Sequence, residues 1–560
     1  MTSTAPHTVS DALAAVALRR SRAFFGLMGN GNVHFLSAIT SSGGDFISSR
    51  HENGAVAMAD AYSRAGGGIA TVSVTYSSGF ANAITALGEA RKARSPMVLV
   101  VGDAPQTGRR GIDIDQRAVA GSLDVPFVSV NTSTAEAAAE WAYDAAERHR
   151  VPVIVAIPYD LVDATVAANA ERPVVSEPVL MVREREEHGE PTDDDVQRVV
   201  ELLRGAKCPL ILGGRGVVLA AAAADLRTAG DALGALFAET LMSRNVFESP
   251  WSVGIAGGFS SLPAANLLRS ADVVLAVGAS LNLYQMRYGT IFAGAEHLIQ
   301  VDVLDEATHP DVTRYLRADA AKFSSAFSRI VQEGGRGAST WRADVEVPAG
   351  AVFTRDDAYD QVPQTDGLDP RAVMQRLERI LPHDKTVVQD TGHCMGWAPS
   401  MWSYPDPGSL LSPGLAIHSI GLGLPSAVGA HRARPERPVV LVSGDGGAMM
   451  ALPEFDTLIR TAQSALIIVL NDSSYSMEVH QYAVRGLDDT AMMFPPVDFA
   501  ALGRAFGVDG VRVQSMDDLG RVEDWIEAGA RGVMVVDVPV SLKYVGDWVR
   551  ESNAYNAANR

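Results

Sequence analysis

The chain has 560 residues, 47% hydrophobic and 20% charged, enough for about three or four domains; this excludes a single small module and a mainly disordered protein. Sixty-six aspartates and glutamates against 47 lysines and arginines give a net charge of −19, so neither nucleic acid nor an anionic membrane is expected as a partner. The two cysteines, Cys208 and Cys394, form neither a disulfide framework nor a CxxC metal site, a pattern that fits a reducing cytoplasm.

In chain order, the first element is a core-facing helix at Ala12–Leu18. It is too short for a signal peptide and wrongly flanked by Asp11, Arg19 and Arg20. No later stretch approaches the ~20 apolar residues of a membrane helix. Runs that are apolar throughout read as buried parallel strands: Ile69–Val74, Pro96–Val101, Pro152–Ile157, Pro209–Leu212, Val273–Val277, His297–Val301, Thr386–Val388, Pro438–Val442, Ala465–Leu470 and Gly532–Val536. Helical patterns lie between them, among them Gly54–Arg64, Ala81–Lys92, Glu136–Glu147 and Pro453–Ala462. The glycines mostly follow the apolar runs, the strand–glycine–helix order of α/β proteins. Two aperiodic segments, Val162–Thr192 and Glu333–Gly367, divide the strands into three groups. The reading is three doubly wound α/β domains with mainly parallel sheets, at 1–162, 190–332 and 366–545, followed by a short polar tail. No tandem repeat is visible.

The densest local signal is Pro438-Val-Val-Leu-Val-Ser-Gly-Asp-Gly-Gly447, a helical stretch, then Ala465-Leu-Ile-Ile-Val-Leu-Asn-Asp472. This strand–turn–helix–strand unit sets Asp445 and Asp472 at the carboxyl ends of neighbouring parallel strands, where open α/β sheets bind ligands. Gly444, Gly446 and Gly447 let the backbone approach an anion, and the helix start that follows favours phosphate. Two carboxylates plus phosphate oxygens make an octahedral Mg²⁺ site. A plain Gly-Asp-Gly turn is the alternative for that motif alone.

The motif resembles that of the thiamine-diphosphate-dependent enzymes of the acetohydroxyacid synthase and pyruvate decarboxylase type: Gly444-Asp445-Gly446, 24 residues, then Asn471-Asp472. Arg50-His51-Glu52-Asn53-Gly54 is similar to the family's Arg-His-Glu-Gln-Gly, Phe25-Gly-Leu-Met-Gly-Asn-Gly-Asn32 to its first strand and turn, and Ser412–Ala430 to the stretch before the diphosphate motif. Thr75-Tyr-Ser-Ser-Gly-Phe-Ala-Asn82 stands where the family has Thr-Ser-Gly-Pro-Gly-Ala-Thr-Asn; it keeps Gly79 and Asn82 and lacks the proline. The resemblance implies pyrimidine-binding, central and diphosphate-binding domains, with thiamine diphosphate and Mg²⁺ as cofactors. It implies Mg²⁺ on Asp445, Asp472 and the Ser474 carbonyl, and Gly444, Gly446, Gly447 and Asn471 around the diphosphate. Glu52 would hydrogen-bond the aminopyrimidine and drive loss of the C2 proton. Ile420 would sit under the bent cofactor, and the His418 carbonyl would accept from its amino group. Asp472 departs from the usual asparagine: an added carboxylate tightens a cation and repels a diphosphate.

For the reaction, the resemblance implies decarboxylation of a 2-oxo acid, then protonation of the enamine or transfer of the acyl carbanion to a carbonyl acceptor. Ser473-Ser-Tyr-Ser-Met-Glu-Val-His480 looks like the decarboxylase run that ends in a proton-handling glutamate, making Glu478 and His480 candidates and Met477 a pocket wall. The decarboxylases' adjacent His-His pair has no counterpart in Gly108–Arg117, whereas Gln116 lies near a glutamine that synthases and lyases keep by the cofactor. Arg109 and Arg110 are either carboxylate ligands or a solvated loop. Gly278-Ala-Ser-Leu-Asn-Leu-Tyr-Gln-Met-Arg287 lacks the Arg-Phe-Asp-Asp-Arg run of the FAD-holding synthases, so FAD is disfavoured. In the family Glu52 serves a second subunit, which implies a homodimer or homotetramer. The alternatives are a lyase of acyloins, diones or 2-hydroxyacyl compounds, and a non-catalytic cofactor-binding paralogue.

Overall fold

The apolar runs fold into three six-stranded sheets, parallel throughout, in a computed structural model that describes residues 7–167, 191–334, 338–345, 359 and 365–559. The N-terminal sheet contains β1 (Phe24–Gly26), β2 (Phe46–Ser48), β3 (Ala70–Val74), β4 (Met97–Asp103), β5 (Phe127–Ser129) and β6 (Pro152–Pro158), in the order β2-β1-β3-β4-β6-β5. The central sheet contains β7 (Pro209–Gly213), β8 (Leu236–Glu239), β9 (Ser252–Ile255), β10 (Val273–Val277), β11 (His297–Asp302) and β12 (Arg314–Arg317), in the order β12-β11-β10-β7-β8-β9. The C-terminal sheet contains β13 (Thr386–Gln389), β14 (Leu410–Leu411), β15 (Val439–Gly444), β16 (Ser464–Asn471), β17 (Asp509–Arg512) and β18 (Gly532–Pro539). Its order, β14-β13-β15-β16-β18-β17, repeats that of the first sheet. Each predicted strand coincides with one of these. Most of both predicted separators lies outside the described residues. No described helix is long and apolar enough to cross a membrane.

Three local expectations change. The tail, read only as short and polar, is a helix at Asp547–Ala558, anchored by buried Trp548 and Val549. Two apolar residues in its first turn are too few to produce a helical period. The run Ala81–Lys92 divides at Ala83 into Ser78–Asn82 and Ile84–Lys92. The helix expected from Gly54 begins at Glu52, where the His51 ring caps it by accepting from Asn53 N.

The N- and C-terminal domains share one continuous apolar core, which includes Val56, Phe80 and Leu87 of the first and Leu422, Val428 and Phe455 of the second. Its centre is the crossing of helix Glu52–Tyr62 on helix Gly423–Ala433. The first is alanine-rich and buried nearly all round. A Cβ on Gly429 would lie 1.9 Å from the Met58 carbonyl oxygen, so only glycine permits so close a crossing. At the central sheet's switch point, Gly216 N donates to Gly278 O (2.9 Å), and main chain fills the crevice between β7 and β10.

Candidate active site

The C-terminal sheet reverses its winding between β13 and β15, and a cavity opens there at the carboxyl ends of the strands. Loops after β13, β15, β16 and β18 line it, so one end of one sheet supplies most of its chemistry. Gly444, Asp445, Gly446 and Gly447 form one wall; Asp472, Ser474, Met477 and Glu478 form the next, with Ile420 nearby. A Cβ on Gly446 would lie 2.7 Å from the Tyr475 ring, and one on Gly447 2.6 Å from Asp390 Oδ2. The glycines are therefore required by close packing as well as by the turn.

The electrostatics of this wall are unusual. Asp445 accepts from Gly446 N (2.9 Å) and Ser473 N (2.6 Å), and Asp472 accepts from the Ser474 hydroxyl (2.8 Å). Burial, reinforced by the charge of Asp472, pushes the Asp445 carboxyl up to about 7, and burial pushes Asp472 up to about 6. Two hard carboxylates that resist ionising side by side form a donor set suited to a divalent cation. Among the described residues no group of three or more His, Cys, Asp or Glu gathers to hold a metal, so any further protein donor would be a neutral oxygen, and Ser474 lies on the same wall. Asp390, one residue past β13 and fully buried, is pushed up to about 6 by burial against hydrogen bonds from Ser443 Oγ and Thr391 N (both 2.9 Å).

Because these folded-state values lie above the ordinary carboxylate range, the cation-free protein binds extra protons between about pH 4 and about pH 7. These three carboxyls therefore contribute most stability at the acidic end and lose it as pH rises through that window, while His393, held neutral by burial, contributes in the opposite direction. With chelator present, Asp472→Asn is expected to gain melting temperature relative to the unmodified chain progressively from pH 5 to 7.5. Identical profiles for the two proteins would show that the paired charge carries no such penalty.

The other expected residues are placed as follows. Glu478 stands on the rim, its carboxyl pKa raised by partial burial. Asn471 does not face the cavity; its amide donates to Val497 O and Asp537 Oδ1 (both 2.8 Å), tying β16 to β18. His480 lies behind the wall, 4.6 Å ring to ring from His393. Its pKa is lowered by burial. His393 lines the cavity; burial holds its imidazole down to about 3, and its Nε2 accepts from Gly546 N (3.0 Å). His418 is exposed with φ +57°. Sequence reasoning missed Asp390, His393 and Tyr475. Asp390 was accessible to it as an acid just past a strand end, the same signal that marks Asp445.

Glu52 belongs to a second cluster, in the N-terminal domain. It is buried, accepts from Asn82 Nδ2 (3.0 Å), and sits against Gly79, where a Cβ would lie 3.2 Å from its Oε1. Gln116 braces the loop between them: Oε1 accepts from Ser77 N (2.7 Å) while Nε2 donates to Gly102 O (2.9 Å) and Asp103 Oδ1 (3.1 Å). Ser77, where the similar motif carries glycine, is held at φ +53°, a conformation that costs a non-glycine residue about 1–3 kcal/mol. Arg109 and Arg110 pair with Asp115 and Asp113, and Arg110 lies between the Tyr76 and Tyr159 rings. Their charge is thus met within the loop. No N-terminal-domain residue, Glu52, Asn82 and Gln116 included, lines the cavity of its own chain among the described residues.

Three descriptions of thiamine pyrophosphate enzymes match the chain: the N-terminal TPP binding domain over residues 7–124, the central domain over 196–324, and the C-terminal TPP binding domain over 390–538. The chain is 26% identical to sulfoacetaldehyde acetyltransferase of Alcaligenes xylosoxydans xylosoxydans, over 89% of this chain and 86% of that one. It is likewise 26% identical to acetolactate synthase of Bacillus subtilis (strain 168), over 92% and 90%. The solved thiamine diphosphate-dependent 4-hydroxybenzoylformate decarboxylase of Rhodococcus jostii RHA1 shares the fold, with a TM-score of 0.76, 23% identity, and coverage of 95% and 99%.

Proposed function

The chain belongs to the thiamine pyrophosphate enzymes, and on that premise we propose that it uses thiamine diphosphate and Mg²⁺ to decarboxylate a 2-oxo acid and then protonates the product or passes its acyl unit to a carbonyl acceptor. The observation that carries this reading is the C-terminal cavity, where Asp445 and Asp472 meet the Gly444–Gly447 turn, Ile420, Met477 and Glu478. The glycine wall and the pair of reluctant carboxylates fit a diphosphate bridged by a cation.

Thiamine diphosphate, when bound, would supply a nucleophilic C2 carbon and an electron sink for decarboxylation. Asp445, Asp472 and the Ser474 carbonyl would hold the cation. Ile420 would stand under the cofactor, and Met477 would shape the substrate side. Glu478, with its raised pKa, holds the proton that separates aldehyde release from acyl transfer. Glu52 and Asn82, braced through the Gln116 loop, form the pyrimidine half of the site, supplied by a second copy of the chain. Exposed apolar residues on both domains support that assembly: Met28 and Ile112 in the N-terminal domain, and Met449 and Met450, just after the Gly444–Gly447 turn, in the C-terminal domain.

A panel of short, branched and aromatic 2-oxo acids, read by CO₂ release with and without an aldehyde or 2-oxo acid acceptor, tests the reading. At least one 2-oxo acid is expected to release CO₂. Glu478→Gln is expected to slow product formation by about 10²-fold. Cleavage of an acyloin or 2-hydroxyacyl compound, with no CO₂ from any 2-oxo acid, would replace this reading with a lyase.

A further inference from the structure

The two halves of the proposed site sit in different domains, and one buried carboxylate of the C-terminal domain reaches into the N-terminal half. Glu454 lies in the first turn of helix Pro453–Thr461 and is 2% exposed. Its Oε1 accepts from Arg50 N (3.0 Å) and His51 N (2.9 Å), the two residues immediately before Glu52, and its Oε2 accepts from the Thr457 hydroxyl. Gly54 leaves it room, since a Cβ there would lie 2.4 Å from Oε1. The contact spans about 400 residues of sequence and ends on main chain, so it fixes where the helix that begins with Glu52 enters the fold. Glu89 makes the mirror-image contact: its Oε2 accepts from Ala416 N (2.9 Å) and Ile417 N (3.1 Å), just before Ile420, while Arg64 pairs with its Oε1. Each domain thus holds the other's working segment through one carboxylate and two adjacent amides.

We infer that Glu454 is a positioning residue for Glu52, acting through the Arg50 and His51 amides rather than on the cofactor. This rests on the reading of Glu52 as the acid at the pyrimidine. The chemistry favours the assignment: a carboxyl that shares a proton with a ring nitrogen needs its heavy atoms placed to a fraction of an ångström, and a ~1 Å displacement costs on the order of 10²-fold.

The test uses the full chain with thiamine diphosphate and Mg²⁺, and compares Glu454→Ala, Glu454→Gln and Thr457→Val with the unmodified protein. Three quantities are read: proton–deuterium exchange at the cofactor's C2, cofactor affinity, and amide exchange of the peptide around Arg50 and His51 in the cofactor-free chain. Glu454→Ala is expected to slow C2 exchange by ~10–100-fold, leave affinity little changed, and deprotect those two amides. Glu454→Gln keeps an oxygen for both amides and should restore protection and most of the rate. Thr457→Val should fall between them, and it decides the matter if the alanine variant does not fold. Unchanged C2 exchange in a folded Glu454→Ala, or in Thr457→Val when that variant alone folds, would overturn the inference, as would a glutamine variant no better than alanine. Glu52→Gln run in parallel separates the two ideas. Normal exchange in that variant would sink the Glu52 reading itself; blocked exchange there, with normal exchange in Glu454→Ala, would remove only the positioning role.

Discussion

Replacing Glu52 with glutamine is expected to lower C2 proton exchange and turnover by at least ~100-fold while leaving cofactor affinity nearly unchanged. The carboxyl is buried, accepts one hydrogen bond from Asn82, and has Gly79 against its other oxygen. Glutamine preserves shape and one acceptor oxygen but cannot exchange a proton with a ring nitrogen. A purely structural Glu52 would tolerate this near-isosteric change and lose little rate, so unimpaired exchange would reject the assignment. Stopped-flow quenching into deuterated acid, followed by NMR of the released cofactor, gives the rate directly.

Asp445→Ala is expected to act on binding instead. It removes one of two carboxylates from the cation site and frees Gly446 N and Ser473 N, which now converge on it at 2.9 and 2.6 Å. Asp472 alone is a poor anchor for a divalent ion, and loss of a ligand or its supporting shell typically costs 10–100-fold or more in metal affinity. Cofactor affinity in saturating Mg²⁺ should therefore fall by at least ~10–100-fold, with little further loss on adding chelator. The melting temperature of the cation-free chain at pH 7.5 should rise, because a buried, reluctant charge has gone. Retained Mg²⁺-dependent binding would place the cation elsewhere.

The fold was legible wherever burial was complete. β4, β10, β15 and β16 are covered on both faces and read as unbroken apolar runs, so composition alone exposed them. Short strands such as Phe127–Ser129 and Leu410–Leu411 offered too few residues for any pattern. The helix Asp547–Ala558 was illegible because it buries only its first turn and is held by residues far off in sequence: His393 at Gly546, Arg287 at Glu551 and the His480 carbonyl at Asn553. At the site, Asp445 and Asp472 were visible because glycine turns and strand ends punctuate the sequence beside them. Asn471 shows the limit of that signal. Neighbouring strand residues point to opposite sides, so one member of the Asn471-Asp472 pair enters the cavity while the other serves β18. Glu454 lies beyond such reading altogether, since its partners in the N-terminal domain are main-chain amides and leave no trace in residue identity.

The central claim is that a working site needs the cavity of one chain and the Glu52 cluster of another, because no N-terminal-domain residue lines its own chain's cavity among the described residues. Mixing separately inactive Glu52→Gln and Asp445→Ala chains, exchanging subunits, and measuring C2 proton exchange tests it most directly. A mixed dimer has one site with both native parts, so exchange should return, up to about a quarter of the native level in an equal statistical mixture. Hybrids shown to have formed yet silent in C2 exchange would contradict the account.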